Sequence, residues 1–176
     1  IIHSSINHGL MKKNTVKQTY SPSMDIQISS NFERQLFECA GRESDVIKNL
    51  FQEFSKNNSY TFDKNILDNL QSIYITNAVS DDETLSTINQ INKQYNYLAD
   101  PHTSTGLNVL LEKDTSQPWV SLACAHPAKF GDAIEKAIGH PPKMPKVLSK
   151  LFDKEEKITI LDNNKEVLKS LILSNI

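Results

Sequence analysis

Apolar positions recur at helical spacing along much of the chain. Phe32, Leu36, Phe37 and Ala40 fall on one face, and Gly41 follows as a stop. Ser30-Asn31-Phe32-Glu33 has the form of a capping box. In that motif the serine hydroxyl takes the amide three residues on, and the glutamate reaches back to the serine amide. Val46, Ile47, Leu50, Phe51 and Phe54 predict a second helix over Asp45–Lys56, ended by Asn57-Asn58-Ser59. Asp63–Leu70 predicts a short helix. Ser80-Asp81-Asp82-Glu83 starts another, with Leu85, Ile88 and Ile91 inward. Leu107–Glu112, Gly131–Ile138, Pro145–Phe152 and Lys165–Leu173 are further helical stretches. Strands are expected at Ser72–Val79, rich in β-branched residues, at Trp119–Ala123 and at Lys157–Leu161. Residues 1–28 are mixed, with a turn at Asn7-His8-Gly9 and a loop at Ser21-Pro22-Ser23. Asp100–Gly106 reads as a loop, and Ala125–Lys129 as a turn.

Strands alternating with helices point to an α/β class, helix-rich with a few strands. So few strands beside so many helices suit an incomplete domain better than a whole doubly wound one. A length of 176 residues fits one domain or a large piece of one. The balance of 19 basic and 21 acidic residues leaves a net charge of -2, no field to attract nucleic acid or anionic lipid. No apolar run approaches a membrane span. Cys39 and Cys124 lie far apart, and they read as buried free thiols of a cytoplasmic protein. The opening Ile1-Ile2-His3-Ser4-Ser5 has neither an initiator methionine nor the features of a signal peptide, which suggests a sequence joined in its middle.

The five glycines are scattered, so no dinucleotide fingerprint or phosphate loop is present. His3, His8, His102, His126 and His140 have no metal-ligand spacing, and no metal site is expected. No catalytic nucleophile arrangement stands out, and no residue is assigned as catalytic. Three segments remain. Ser29-Ser30-Asn31 opens a helix whose free amides suit an anion, with Arg34 one turn in. A plain capping box beside a surface arginine is the simpler reading. Asp100-Pro101-His102-Thr103-Ser104-Thr105-Gly106 can present a small hydroxyl to a flat heterocycle. It reads as well as an N-cap cluster before a buried helix. Ala125-His126-Pro127-Ala128-Lys129 comes after a short apolar run, where His126 and Lys129 can serve a site or merely the surface.

Taken together these segments resemble one family. Ser21-Pro22-Ser23-Met24-Asp25-Ile26 with Ser30-Asn31-Phe32-Glu33-Arg34 is similar to the S-P-S-M-D-I…S-N-F-E-R signature of threonine synthases. Asp100-Pro101-His102-Thr103 is similar to that family's D-P-H-T loop, and Ala125-His126-Pro127-Ala128-Lys129-Phe130 to its A-H-P-A-K-F segment. Order and spacing agree over nearly the whole chain, which corresponds to less than half of a full member.

The resemblance implies residues 1–176 of a C-terminal part of a fold type II (tryptophan synthase β-like) pyridoxal-phosphate enzyme. The expected reaction of the intact enzyme converts O-phospho-L-homoserine and water to L-threonine and phosphate. It also implies that Thr103 faces the pyridine nitrogen, with Ser30, Asn31, Arg34, His126 and Lys129 as weaker substrate-side candidates. The family's Schiff-base lysine and glycine-rich phosphate cradle have no counterpart here. The chain alone is therefore expected to be inactive and to need an N-terminal half as its partner. The alternative is a non-catalytic module that binds a partner or small ligand.

Overall fold

A computed structural model describes residues 1–113, 116–151 and 153–175. It divides into two compact units, Ile1–Pro142 and Lys143–Ile176.

In the first unit, α1 (Ile2–His8) ends at Gly9, whose φ of 66° is left-handed. β1 (Leu10–Lys12) comes next. A 3-10 turn at Pro22–Met24 leads to α2 (Phe32–Cys39) and α3 (Ser44–Asn57), the latter closed by left-handed Asn58. β2 (Ser59–Thr61) pairs antiparallel with β1 through Leu10↔Thr61, Met11↔Tyr60 and Lys12↔Ser59. α4 (Lys64–Ile73), α5 (Asp81–Tyr95), α6 (Pro101–Leu111), a 3-10 turn at Pro127–Phe130 and α7 (Gly131–Ile138) complete the unit. The second unit contains α8 (Lys146–Ser149) and α9 (Lys165–Ser174).

Two cores hold the first unit together. Ile6, Met11, Leu36, Leu50, Phe54, Phe62 and Leu70 bring α1, the hairpin and α2–α4 into one cluster. Ile88, Ile134 and Ala137 form a smaller one, where α5 packs on α7. Of the inward faces expected, Ile47, Leu50 and Phe54 of α3 and Ile88 and Ile91 of α5 are buried, as the 3.6-residue period puts them on one stripe, whereas Phe51 and Leu85 are half-buried and Val46 is exposed.

Several expectations are corrected. The capping box sits at Ser80, not Ser30. The Glu83 amide donates to Ser80 Oγ at 3.3 Å, and the Ser80 amide donates to Glu83 Oε2 at 2.7 Å. At α2 the backbone is already helical at Asn31, and no side chain caps the helix. The Phe32 amide donates instead to the Ser29 carbonyl at 3.1 Å. None of the three expected strands forms a ladder among the described residues. α4 absorbs the start of Ser72–Val79, and the remainder of that stretch has no strand beside it. β-branched residues favour extended backbone, but a strand exists only against a partner. Their exposure shows the lack of cover: Ile75 80%, Val120 84%, Leu122 79%, Ile160 92%. The paired strands are three residues each, too short for a periodic signal. The Pro145–Phe152 helix reduces to Lys146–Ser149, and Phe152 lies outside the described residues. Cys39 is buried as expected, but Cys124 is exposed. No helix among the described residues is long and apolar enough to cross a membrane.

Candidate functional site

Asp100-Pro101-His102-Thr103 is not a loop but the start of α6. Asp100 is its N-cap and Pro101 its first residue, where a missing N–H costs nothing. The Asp100 carboxylate is 1% exposed as a residue and accepts on both oxygens. Oδ1 takes the His102 amide at 2.9 Å and the Thr103 amide at 3.4 Å. Oδ2 takes the Thr103 hydroxyl and, at 3.1 Å, the amide of Ala125. The Thr103 hydroxyl also accepts the Cys124 amide at 2.8 Å. A buried carboxylate surrounded by four donors is well satisfied, and it ties the start of α6 to the backbone entering Ala125–Phe130.

His102 reaches the other way. Its Nε2 accepts the Ser23 amide at 3.1 Å, and its ring lies 4.9 Å from that of Phe130. The preceding loop is fastened at three points. Asp25 Oδ2 accepts the Thr19 amide at 2.9 Å, and Oδ1 accepts the Thr19 hydroxyl at 2.7 Å. The Tyr20 amide donates to Asp81 Oδ1 at 3.1 Å. Lys136 donates to the Tyr20 hydroxyl and stands 5.0 Å from its ring centroid, and this hydrogen bond raises the lysine pKa.

These ties shape a groove of about 680 Å³ between the two cores. Its walls include Ser21, Ser23, Met24, Asp25 and Ile26, then Ser29, Ser30 and Asn31, with Thr84 of α5 and Thr105, Gly106 and Val109 of α6. Small-molecule sites have roughly this volume, about 300–1,000 Å³. Among the described residues no lysine or arginine lines it, and its acidic side chains are those of Asp25 and Asp81.

Of the expected site residues, Ser30 and Asn31 lie on this groove. Arg34 does not. It lines a separate cleft of about 1230 Å³ between α2 and α3, which Ser30 also borders. Thr103 is buried beneath the groove, with its hydroxyl donating to Asp100 and accepting from Cys124. Thr105, two residues on, reaches the wall, and its hydroxyl donates to the His102 carbonyl at 2.8 Å. His126 is exposed and caps the 3-10 turn, its Nδ1 accepting the Ala128 amide at 3.1 Å. Lys129 is exposed with its Nζ 5.6 Å from the Phe130 centroid. The structure therefore brings together Ser30, Asn31 and the α6 segment, but not Arg34, His126 or Lys129. Asp100, His102 and Thr105 stood within a segment read from sequence, and Ser23 within the Ser21–Asp25 motif, but none was nominated individually. The reading of Asp100-Pro101 as an N-cap cluster before a helix is the one the structure has.

The groove is thus built from segments more than seventy residues apart, and of the segments that carry the family resemblance the Ser21–Asn31 stretch lines it, while Asp100–Thr103 lies just before the α6 residues on its wall. A family model described as threonine synthase, C-terminal, matches residues 103–172. Threonine synthase of Pseudomonas aeruginosa is 37% identical over 93% of this chain and 35% of its own length. That of Saccharomyces cerevisiae is 31% identical over 98% of this chain and 39% of its own. A crystal structure of PLP-bound threonine synthase from Brucella melitensis superposes with a TM-score of 0.86 at 37% identity, over 97% of this chain and 37% of that one. The chain matches the C-terminal part of threonine synthases.

Its match is to the family's C-terminal part, and it spans between about a third and two-fifths of these relatives' length. The yeast threonine synthase structure agrees, with a TM-score of 0.84 at 30% identity over 99% of this chain. The α/β, helix-rich architecture with few strands is that of the corresponding part of these threonine synthases.

Proposed function

We propose that this chain supplies the C-terminal part of a cytoplasmic, pyridoxal-phosphate-dependent threonine synthase. That enzyme would convert O-phospho-L-homoserine and water to L-threonine and phosphate. Residues 1–176 would form part of one catalytic domain, completed by an N-terminal half. The observation that carries the reading is the groove, since the Ser21–Ile26, Ser29–Asn31 and α6 segments meet there.

The groove suits the flat ring of such a cofactor and not its phosphate. Ser21, Ser29, Ser30, Thr105 and Gly106 offer hydroxyls and little bulk. At Gly106 a Cβ would meet Ser121 Oγ at 3.2 Å, so the backbone there is closely approached. When bound, the cofactor would withdraw electrons from the substrate's carbon skeleton. This chain's share would be orientation and water exclusion. Ser30 and Asn31 at the start of α2 would offer backbone amides and short side chains to the substrate. Arg34, His126 and Lys129 would act from outside the groove. Thr103 remains the nominee for the ring nitrogen. With its proton on Asp100 it would accept there through its free lone pair.

A groove whose charged walls are carboxylates attracts neither phosphate nor a phosphorylated substrate, so the cations and the covalent lysine would come from the longer protein. The test compares the natural-length protein with residues 1–176 alone, each titrated with pyridoxal phosphate and treated with borohydride. The longer protein should release phosphate from O-phospho-L-homoserine and yield one reduced lysine adduct, and the 176-residue chain neither. A stoichiometric adduct on one defined lysine of the short chain would overturn the division of labour. A natural-length protein that releases no phosphate would favour a non-catalytic binding module.

A further inference from the structure

His102 does not line the groove, yet it contacts a residue that does. Ser23 sits in the Pro22–Met24 turn, whose N-cap Ser21 offers no side-chain cap. Within that turn the Met24 amide donates to the Ser21 carbonyl at 2.8 Å and the Asp25 amide to the Pro22 carbonyl at 3.2 Å. The Ser23 amide, an orphan donor at the start of the turn, donates instead to His102 Nε2 at 3.1 Å. An N–H can be accepted only by a nitrogen with a free lone pair, so Nε2 is unprotonated and the ring proton sits on Nδ1.

The other side of the ring requires the same tautomer. Nδ1 is buried and lies 3.4 Å from Asp100 Oδ1, without hydrogen-bond geometry to it. A lone pair there would face a carboxylate oxygen, whereas an N–H presents its positive end to it. Asp100 thus favours the proton on Nδ1, and Ser23 needs the lone pair on Nε2. The Phe130 ring, 4.9 Å from the imidazole, restricts the ring from turning away.

We propose that His102 is a positioning residue: set in its Nδ1-protonated form by Asp100, it caps the Pro22–Met24 turn and so fixes the Ser21–Ile26 lip of the groove. The lip and α6 are then one wall, and the substrate meets a preformed surface at Ser21 and Ser23. This rests on the reading of the groove as the enzyme's site.

Three measurements on the natural-length protein test it. A long-range ¹H–¹⁵N spectrum should show His102 protonated at Nδ1 and bare at Nε2; protonation at Nε2 overturns the proposal. His102→Leu should speed amide exchange across Thr19–Ile28 about ten-fold or more while α5 stays protected. His102→Gln, which returns an acceptor oxygen near the Nε2 position, should restore most of that protection. Exchange in the lip that is unchanged by His102→Leu, or that rises equally in α5, overturns it. Should His102→Leu not fold, the imidazole spectrum and the glutamine variant still decide. The KM for O-phospho-L-homoserine should rise with the exchange rate, and kcat should fall less. If the lip loosens with KM unmoved, the positioning role stands and the groove reading falls.

Discussion

The amide of Ala125 donates to Oδ2 of Asp100 at 3.1 Å, joining residues 25 positions apart. Asp100 also caps α6 and receives the Thr103 hydroxyl, so one buried carboxylate fastens two segments that in sequence look independent. All four of its partners are donors. An amide in its place would turn an NH₂ toward an N–H or O–H.

Asp100→Asn should therefore cost about 2–4 kcal/mol, from lost charge-assisted bonds and an unmatched buried donor. Urea unfolding of parent and variant measures this directly. A shift under about 0.5 kcal/mol would mean that the carboxylate is replaceable, and that Ala125 is held by other contacts.

The helices were legible because their signals are local. α3, α5, α7 and α9 each carry an apolar stripe with a cap or stop beside it; the ends of α3, α7 and α9 fall within a residue or two of expectation, and α5 starts where expected. The strands were not, since Ile75, Val120 and Ile160 have the right composition but no described segment beside them to pair with. Among the candidate residues, Ser30 and Asn31 fall on the groove because they stand at a helix start that the sequence marks, though not by the capping box expected there. His102 was not, since its role depends on Ser23, 79 positions away. Nothing local distinguishes a histidine that caps a distant turn from one on the surface.

The Ser80–Glu83 capping box makes α5 sensitive to acid. The Ser80 hydroxyl, then its amide, hold the Glu83 pKa below the ordinary 4.5. A depressed carboxylate pKa contributes stability that is present above the unfolded value and lost as pH falls through the folded one. The stability difference between parent and Glu83→Gln should hold from pH 7 to about 5 and vanish at lower pH. Denaturant midpoints across that range check it; a difference constant with pH would show that the charge plays no part.

The exposed apolar residues of the first unit give a third expectation. Ile75, Val120 and Leu122 are each about four-fifths exposed, and such surface is uncommon on a monomer when contiguous. The 176-residue chain should self-associate as concentration rises. Replacing all three by serine should move it toward monomer without lowering its unfolding midpoint, because none is buried. Light scattering with size-exclusion chromatography reads the change. A parent that stays monomeric and binds no hydrophobic dye would show that this surface needs no cover.

Thr103 and Thr105 lie on one turn of α6 but face different surroundings. Thr103→Val removes the hydroxyl that donates to Asp100 and accepts the Cys124 amide; Asp100 keeps its three amide donors but the Cys124 amide loses its partner, at about 1–3 kcal/mol of stability. Thr105→Val gives up only a bond to the His102 carbonyl within the helix, and should cost less than about 1 kcal/mol. If Thr103 meets the cofactor ring, Thr103→Val in the natural-length enzyme should shift the cofactor spectrum and slow turnover about ten-fold or more. Thr103→Ser, which keeps the hydroxyl, should restore both. The comparison is made well below the variants' unfolding temperatures, so that the stability loss does not enter the rate. If Thr103→Val keeps the parental spectrum while Thr105→Val changes it, the ring contact belongs to the residue on the groove wall. Thr103 would then serve only to join α6 to the Cys124 backbone, and its loss would still lower stability by the same amount.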